Sequence, residues 1–346
     1  MMMRLYCHSY HFSMDNRFLC SIPCFGRKER LKGGKSLLSY TLKRLGQTIL
    51  VLFGITLITF ILLNVVPGDP VAMMLDKRAD AATIEKVRHE MGLDVPLPQQ
   101  YVDFVKGAAH LDFGKSYFTK ENVTDALIRS FKVTVRLAAV SFLFAVLIGI
   151  TCGLIAAVYR GKWLDSLLMT ISMIGVSAPS FWIAIILQIV LGLKLDLLPI
   201  SGFDNPLCYI LPSIALGTRY AGSIARITRT SMLDVIKQDY IRTARSKGVK
   251  ESLVIMSHAL KNAMIPIVTL VGTELGNMLT GSMLIEKVFS VPGIGKLAVD
   301  GMMNRDLPLL QGTVVYIALV FVIVNLVVDL SYAFIDPRIR YGKGAD

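Results

Sequence analysis

The chain has 346 residues, of which 53% are hydrophobic and 18% charged, with a mean hydropathy of +0.57 and a formal net charge of +12. Ordinary soluble domains carry about one charged residue in four, so this composition indicates a membrane protein. The positive charge would suggest a nucleic-acid partner in a soluble chain. Here the basic residues lie beside hydrophobic segments, as in the cytoplasmic loops of membrane proteins, and we expect no nucleic-acid binding.

Five cysteines are spread along the chain in no regular pattern: Cys7, Cys20, Cys24, Cys152 and Cys208. An odd number without regular spacing argues against a disulfide framework. The spacing of the first three fits no zinc module, so we expect no metal site.

The first 44 residues are polar and basic, and they contain no apolar stretch of the kind that precedes a signal-peptide cleavage site. A basic cluster directly before a hydrophobic segment predicts a cytoplasmic N-terminal tail, in which we expect residues 1–36 to be disordered. Residues 45–66 carry no charge and are long enough to cross a hydrocarbon core of about 30 Å as the first span. The sequence Pro67-Gly68-Asp69-Pro70 ends this span.

Residues 67–132 are the only sizeable polar segment after the tail, and they predict a small extracytoplasmic lobe. The membrane core then covers residues 133–335, with further spans at 133–158, 166–193, 210–232, 263–285 and 311–335. Pro179 should break the third span, because its ring removes a backbone hydrogen bond. With a cytoplasmic tail at 336–346, the sequence predicts an all-α integral membrane protein with six transmembrane helices.

A basic, polar stretch at residues 233–262 separates two of these spans. Val249, Leu253, Met256 and Leu260 are spaced to share one face of a helix, which would make this stretch amphipathic. Gly248 should separate two helical pieces, because glycine readily takes the left-handed conformation that ends a helix. Such a helix could rest on lipid headgroups, or it could dock into a groove of a soluble partner.

Three segments imitate nucleotide-binding or hydrolytic motifs, but each lacks a residue or a structural context that the motif requires. Gly34-Lys35-Ser36 lacks the first glycine of a phosphate-binding loop, since position 29 is Glu29. Gly293-Ile294-Gly295 follows no βαβ pattern. His89-Glu90 has no second histidine at position 93. We therefore expect no catalytic residue in this chain, and if it moves a solute against a gradient, the energy must come from elsewhere.

Polar residues within the spans are the candidates for a pathway. Glu274 lies within the fifth span, where a carboxylate is costly in lipid and should face protein or water. It could line a path for a solute, or be a packed, hydrogen-bonded helix residue. Arg219 is deep enough to face a cavity, and Asn277 and Pro179 complete the candidate set.

Two further arginines, Arg226 and Arg229, lie near the inner end of the fourth span. Their side chains should extend to the lipid headgroups, and Asp329 could pair with one of them. The spacings Gly149-x-x-x-Gly153 and Gly272-x-x-x-Gly276 permit close helix approach.

Several segments resemble the membrane subunits of ABC importers, most closely the dipeptide/oligopeptide/nickel permease family. The strongest are Asp239-Tyr240-Ile241-Arg242-Thr243-Ala244-Arg245-Ser246-Lys247-Gly248 and His258-Ala259-Leu260-Lys261-Asn262-Ala263. The wider superfamily has Glu-Ala-Ala, three residues, Gly, nine residues and then Ile-x-Leu-Pro. This chain has Arg242-Thr243-Ala244 at the first position and His258, Leu260 and Lys261 at the last, as in the peptide/nickel branch.

The resemblance implies a type I ABC importer transmembrane domain in the cell membrane of a prokaryote, with both termini cytoplasmic. It implies as partners a second, similar permease subunit, two ATP-binding subunits that carry the ATP and Mg²⁺, and an extracytoplasmic solute-binding protein. It assigns ATPase coupling to Arg242, Thr243, Ala244, Lys247, Gly248, Val249, Leu253, Met256, His258 and Leu260.

The implied substrates are dipeptides or oligopeptides, with nickel as an alternative. A function of another class, an ion-coupled secondary transporter, would usually show internal repeats and paired broken helices. The sequence has one clear break, at Pro179, and no convincing repeat.

Overall fold

A computed structural model describes residues 37–65, 81–90, 94–203 and 205–335. These ranges form helices joined by loops, and the extended pairing within them is limited to an isolated antiparallel bridge between Lys115 and Asn122. The predicted all-α fold class is confirmed. The N-terminal extension, the Pro67–Pro70 segment and the C-terminal tail lie outside the described residues.

Twelve α-helices organise the described part of the chain. They are α1 (Leu37–Val65), α2 (Ala81–Glu90), α3 (Leu97–Ala109), α4 (Val123–Val158), α5 (Trp163–Ser177), α6 (Ser180–Leu187), α7 (Ile210–Ile236), α8 (Asp239–Ser246), α9 (from Glu251 to Gly281), α10 (Met283–Val288), α11 (Ile294–Asn304) and α12 (Leu307–Ile335). Helix α6 continues as a π-helical segment, Gln188–Lys194. Helix α9 contains a π-helical turn at Val254–Ala259, between Glu251–Leu253 and Leu260–Gly281.

Four of the described helices are long and apolar enough to cross a membrane: α1, α4, α9 and α12. Helices α5 and α6 pass the same test as a pair, but they bend by 106° at Ala178 and Pro179. The proline therefore breaks the third predicted span, as expected. Helix α7, the fourth predicted span, is long enough but does not reach the hydropathy of the others. The count of six spans thus remains a prediction.

Helix α7 lies at the centre of the described fold, packed against α4, α5 and α9. Small residues permit this packing. A Cβ atom added to Gly149 of α4 would lie 2.7 Å from Ile224 Cβ, and one added to Gly153 would lie 2.4 Å from the Ala225 carbonyl oxygen. The predicted close approach at Gly149 and Gly153 is therefore confirmed, and neighbouring helices cover α7 over much of its surface.

The predicted lobe packs onto the start of α12. Phe113, Val123 and Leu127 form a hydrophobic cluster with Leu309 and Val315. This cluster holds the loop at 111–122 against the start of the last helix. The lobe is therefore fixed to the membrane core at the end of the bundle where α4 begins.

Several predicted boundaries need correction. Helix α1 begins at Leu37, so the last residues of the predicted tail are helical. Helix α4 begins at Val123, ten residues before the predicted span and within the predicted lobe, because Asn122 caps it by accepting a hydrogen bond from the Thr124 amide. The fifth span begins at Glu251, so the second half of the predicted loop 233–262 belongs to α9.

Candidate functional site

Arg219 is an exposed cation on the central helix α7. Its side chain makes no hydrogen bond or ion pair with any residue that the structure describes. At about 1.5 Å rise per residue, Arg219 lies about 14 Å along the helix from Ile210. An arginine at this depth is costly in lipid, so its guanidinium must face water or another protein.

Glu274 and Asn277 lie on α9, which packs against α7. The half-buried Glu274 carboxylate accepts a hydrogen bond of 3.0 Å from Asn277 Nδ2, and Asn277 is exposed. Glu274 lies about 10 Å from the end of α9 at Gly281, a depth similar to that of Arg219 because the two helices run antiparallel. The structure therefore brings three of the four predicted pathway residues to one region.

Packing of the two helices agrees with this proximity. Tyr220, the residue after Arg219, lies in one hydrophobic cluster with Val271 and Met278 of α9, which flank Glu274. Arg219 and Glu274 form no ion pair with each other among the described contacts, and the described contact of the Glu274 carboxylate is the hydrogen bond from Asn277. They form a region with one positive and one negative pole.

Exposed polar side chains extend this region along both helices. On α9, Thr269, Thr273 and Asn277 follow each other at four-residue spacing and are exposed. On α7, Arg219 and Arg226 are exposed, and Ser223 between them is half-buried. Residues at this spacing share a helix face. A polar stripe on each of two neighbouring helices is the arrangement expected for a water-filled path.

Pro179, the fourth predicted pathway residue, is exposed at the break between α5 and α6. One turn before it, Gly175 packs against Thr218, the residue preceding Arg219. The break therefore lies near the Arg219 end of the polar surface. Whether Pro179 contacts a solute stays a prediction.

The short helix α8 is the amphipathic element of the basic stretch at residues 233–262. Ile241 and Ala244 are buried against Met232 of α7, in a cluster that also contains Val254 and Ala259 of α9. The opposite face exposes the candidate coupling residues Arg242, Thr243 and Lys247. Helix α8 is thus attached to the bundle by its apolar face, and its polar face is open.

Gly248 ends this helical piece in the left-handed conformation, with φ +75°. Across the turn, the Arg245 guanidinium donates to both carboxylate oxygens of Glu251, with shortest distances of 2.6 and 3.0 Å. Asn262 Nδ2 donates to the Tyr240 hydroxyl at 2.8 Å. The predicted role of Gly248 as a separator of two helices is therefore confirmed.

The predicted apolar stripe after Gly248 is wrong. Leu253 and Met256 are 54% and 53% exposed, whereas Val249 and Leu260 are partly buried against the cluster around Met232. There are two causes. Val249 lies before the helix begins at Glu251, and the π-helical turn at Val254–Ala259, which has more residues per turn than an α-helix, shifts the face of Leu260 relative to Leu253. His258 is exposed in this turn. The coupling roles of these residues stay predictions.

The expectation that Arg229 reaches the headgroups is also wrong. Its Nε and Nη2 atoms donate to the two carboxylate oxygens of Asp165 at 2.6 and 2.8 Å. Asp165 Oδ2 also accepts from the Gly161 amide at 3.0 Å. The suggested partner Asp329 lies among residues whose side chains are not described.

Two buried carboxylates outside the predicted set hold the segment between α9 and α12. Glu286 is fully buried and accepts from Thr134 Oγ1, Ser282 Oγ and the Gly295 amide at 2.7–2.8 Å. Asp306 accepts from Ser116 Oγ at 2.5 Å and from the Tyr117 amide at 3.2 Å. Burial of the Tyr117 hydroxyl raises its pKa to about 12, and the nearby negative charge of Asp306 contributes a smaller shift in the same direction.

No group of three His, Cys, Asp or Glu side chains that could hold a metal ion occurs in the part of the chain that the structure describes. The site is therefore characterised by the charged surface on α7 and α9 and by the exposed face of α8.

Family comparisons agree with this architecture. Residues 149–341 match the family described as binding-protein-dependent transport system inner membrane component, and residues 37–138 match its N-terminal family. The first match includes α7, α8 and α9, and the second includes α1 and the lobe.

Similar full-length proteins are glutathione transport system permease proteins GsiC. Those of Escherichia coli strain K12 and of Shigella dysenteriae serotype 1 are each 43% identical to this chain over 305 residues, which covers 88% of this chain and all of each relative.

A solved structure has the same fold. The inward-facing MetNI methionine ABC transporter matches with a TM-score of 0.53 at 18% identity, covering 61% of this chain and 96% of that chain.

Proposed function

We propose that this chain, which belongs to the family of inner membrane components of binding-protein-dependent transport systems, forms one half of a translocation pathway for peptides. As a member of that family it is a multi-pass membrane permease subunit of an ABC importer. The observation that carries the proposed pathway is Arg219, an exposed guanidinium at membrane depth with no partner in the described part of the chain. A second, similar subunit would close the other side of this surface.

The charges on the surface support a peptide-type solute. A peptide in water near neutral pH carries a carboxylate and an ammonium group. Arg219 could meet the first and Glu274 the second, since neither is paired with the other. Relatives named as glutathione permeases fit this proposal, because glutathione is a small peptide with both kinds of charge. Nickel remains the alternative substrate, for which Glu274 would be the contact.

We expect the ATP-binding subunits to dock on the exposed face of α8 and the solute-binding protein to dock at the lobe end. In this arrangement ATP and Mg²⁺ bind to the ATPase subunits, and this chain binds no cofactor. Closure of the ATPase subunits would move α8, and through it the helices that line the path.

The proposed orientation places α3 outside the cell and the turn between α4 and α5 inside. Lys106 and Lys162 are exposed in these two segments and serve as a matched pair. In a background in which the five native cysteines are replaced, Lys106→Cys should react with an impermeant thiol reagent in intact cells. Lys162→Cys should react only after permeabilisation. The reverse pattern would contradict the orientation.

The experiment that tests the path is Glu274→Gln, which keeps the shape of the side chain and removes its charge. A hydrogen bond to a charged group contributes about 1.5–3 kcal/mol, so KM for a peptide with a free amino group should rise about tenfold or more. A fall in nickel uptake, measured in parallel, with unchanged peptide uptake would instead favour the nickel alternative. Glu121→Gln in the lobe is the control for loss of a carboxylate. Unchanged peptide kinetics would assign Glu274 to helix packing.

A further inference from the structure

The ion pair between Asp165 and Arg229, whose side chains are 6% and 28% exposed, connects two helices at the cytoplasmic end of the bundle. Asp165 is in the first turn of α5 and is 4% exposed. Arg229 lies on α7, two turns before that helix ends at Ile236. Because two guanidinium nitrogens, Nε and Nη2, each donate to a different carboxylate oxygen, the pair fixes the relative orientation of the helices as well as their distance.

The same pair also holds the loop that precedes α5. The amide of Gly161 donates to Asp165 Oδ2 at 3.0 Å, so the turn after α4 is bound to the same carboxylate. Breaking a buried pair leaves one charge without compensation, which makes the contact resistant to separation. Three segments, the turn after α4, α5 and α7, therefore meet at one carboxylate.

Helix α7 leads directly from this pair to α8. Only Lys237 and Gln238 separate the two helices, and Ile241 of α8 is buried with Met232 of α7. A displacement of α8 must therefore move the end of α7 that carries Arg229.

At its other end, α5 reaches the break at Ala178 and Pro179. Between the two ends, α5 and α7 are in close contact. A Cβ atom added to Gly222 would lie 2.5 Å from the Ser172 carbonyl oxygen, and one added to Gly175 would lie 3.0 Å from Thr218 Cγ2. Helices α5 and α7 can therefore move together up to the break, where α6 begins.

We propose that Asp165 and Arg229 are positioning residues that make α5 and α7 move as one body when an ATPase subunit acts on α8, so that the movement reaches the break at Pro179. This inference rests on the proposed function, because it requires that α8 is the docking element. It extends coupling beyond α8 to a contact that touches neither the ATPase nor the solute.

The first test is Asp165→Asn in the complete complex, reconstituted in lipid with its ATPase subunits and solute-binding protein. Coupling between two sites is typically about 5- to 150-fold, and we expect the ratio of solute-stimulated to basal ATP hydrolysis to fall about tenfold. Basal hydrolysis and the amount of bound ATPase subunit should stay at the wild-type values. An unchanged ratio would overturn the proposal.

Glu121→Gln is the matched control, because Glu121 also forms a two-pronged pair, with Arg129 Nη1 and Nη2 at 2.6 and 3.0 Å. That pair lies in the lobe, at the end of the bundle where α4 begins, so Glu121→Gln controls for general loss of an ion pair and should leave basal hydrolysis and the amount of bound ATPase subunit unchanged. A second variant, Arg229→Lys, keeps the charge but not the two-pronged geometry, and it should give an intermediate ratio. If Asp165→Asn and Arg229→Lys both lose bound ATPase subunit in proportion to the loss of stimulated hydrolysis, the ion pair is needed for assembly of the complex and the proposal fails.

A covalent crosslink between positions 165 and 229 tests whether the ion pair acts by holding the two helices together or through its charges. In the background without native cysteines, Asp165→Cys with Arg229→Cys should be poorly coupled, and a short bifunctional thiol crosslinker should restore the ratio. Failure to restore it with the link in place would contradict the one-body role. If wild-type complex shows no ATPase subunit and no stimulation, the proposed function itself fails, which is a separate result.

Discussion

Arg219→Leu is expected to lower solute uptake by about 10- to 100-fold while the complex still assembles. The guanidinium is exposed, lies about 14 Å along α7 from Ile210 and has no partner within the described residues. Its removal costs the folded chain no contact, since leucine is well suited to a helix in a membrane. The solute would lose a charge-assisted hydrogen bond of about 1.5–3 kcal/mol, which corresponds to this range of uptake.

Arg219→Lys is the matched control, because it keeps the charge at the same position. We expect it to retain most of the uptake, with a higher KM for the solute because a lysine offers no planar two-pronged contact. Uptake is measured in vesicles with the amount of assembled complex determined in each sample. Normal uptake by the leucine variant would show that Arg219 faces lipid headgroups or a partner helix and does not line the path.

The sequence predicted those features that depend on one residue and its backbone chemistry. The break at Pro179 follows from a missing amide hydrogen, and the turn at Gly248 follows from the absence of Cβ. The close approach at Gly149 and Gly153 follows from size alone. In each case the local cause is sufficient, and the structure has the predicted geometry.

Features that depend on distant contacts could not be predicted in this way. The pairing of Arg229 with Asp165 joins residues in separate helices, and no spacing rule connects positions 165 and 229. The burial of Glu286 depends on Thr134 in another helix. The prediction of an apolar stripe after Gly248 was wrong because it assumed one continuous helix with 3.6 residues per turn. The helix begins only at Glu251, after Val249, and no residue type in that stretch signals the π-helical turn.

One rejected motif has a structural explanation. Gly293-Ile294-Gly295 imitated a dinucleotide fingerprint, and its glycines instead permit the chain to lie on the buried Glu286 carboxylate. A Cβ atom added to Gly293 would lie 2.4 Å from the Glu286 carboxyl carbon. The sequence therefore contained a signal for the buried Glu286 carboxylate, a pair of glycines close to a glutamate. That signal could be interpreted only once the fold showed which residues are in contact.

Gly248→Val is expected to uncouple the chain from its ATPase subunit. The residue has φ +75°, and a Cβ atom added there would meet nothing within 4 Å, so the substitution introduces backbone strain without a clash. The strain is about 1–3 kcal/mol, which relaxation of the turn would relieve by re-aiming α8. Bound ATPase subunit and solute-stimulated hydrolysis should each fall about tenfold or more, while membrane insertion is retained.

Gly114→Val is a closely matched control for this experiment. Gly114 has φ +76°, and its added Cβ atom would also meet nothing within 4 Å, but it lies in the lobe loop, at the end of the bundle where α4 begins. Both variants carry a similar strain, so a difference between them reports the position of the turn and not a general loss of stability. If the Gly248 and Gly114 variants bind the ATPase subunit equally well, α8 is not the docking element, and its exposed polar face is then assigned to the lipid headgroups.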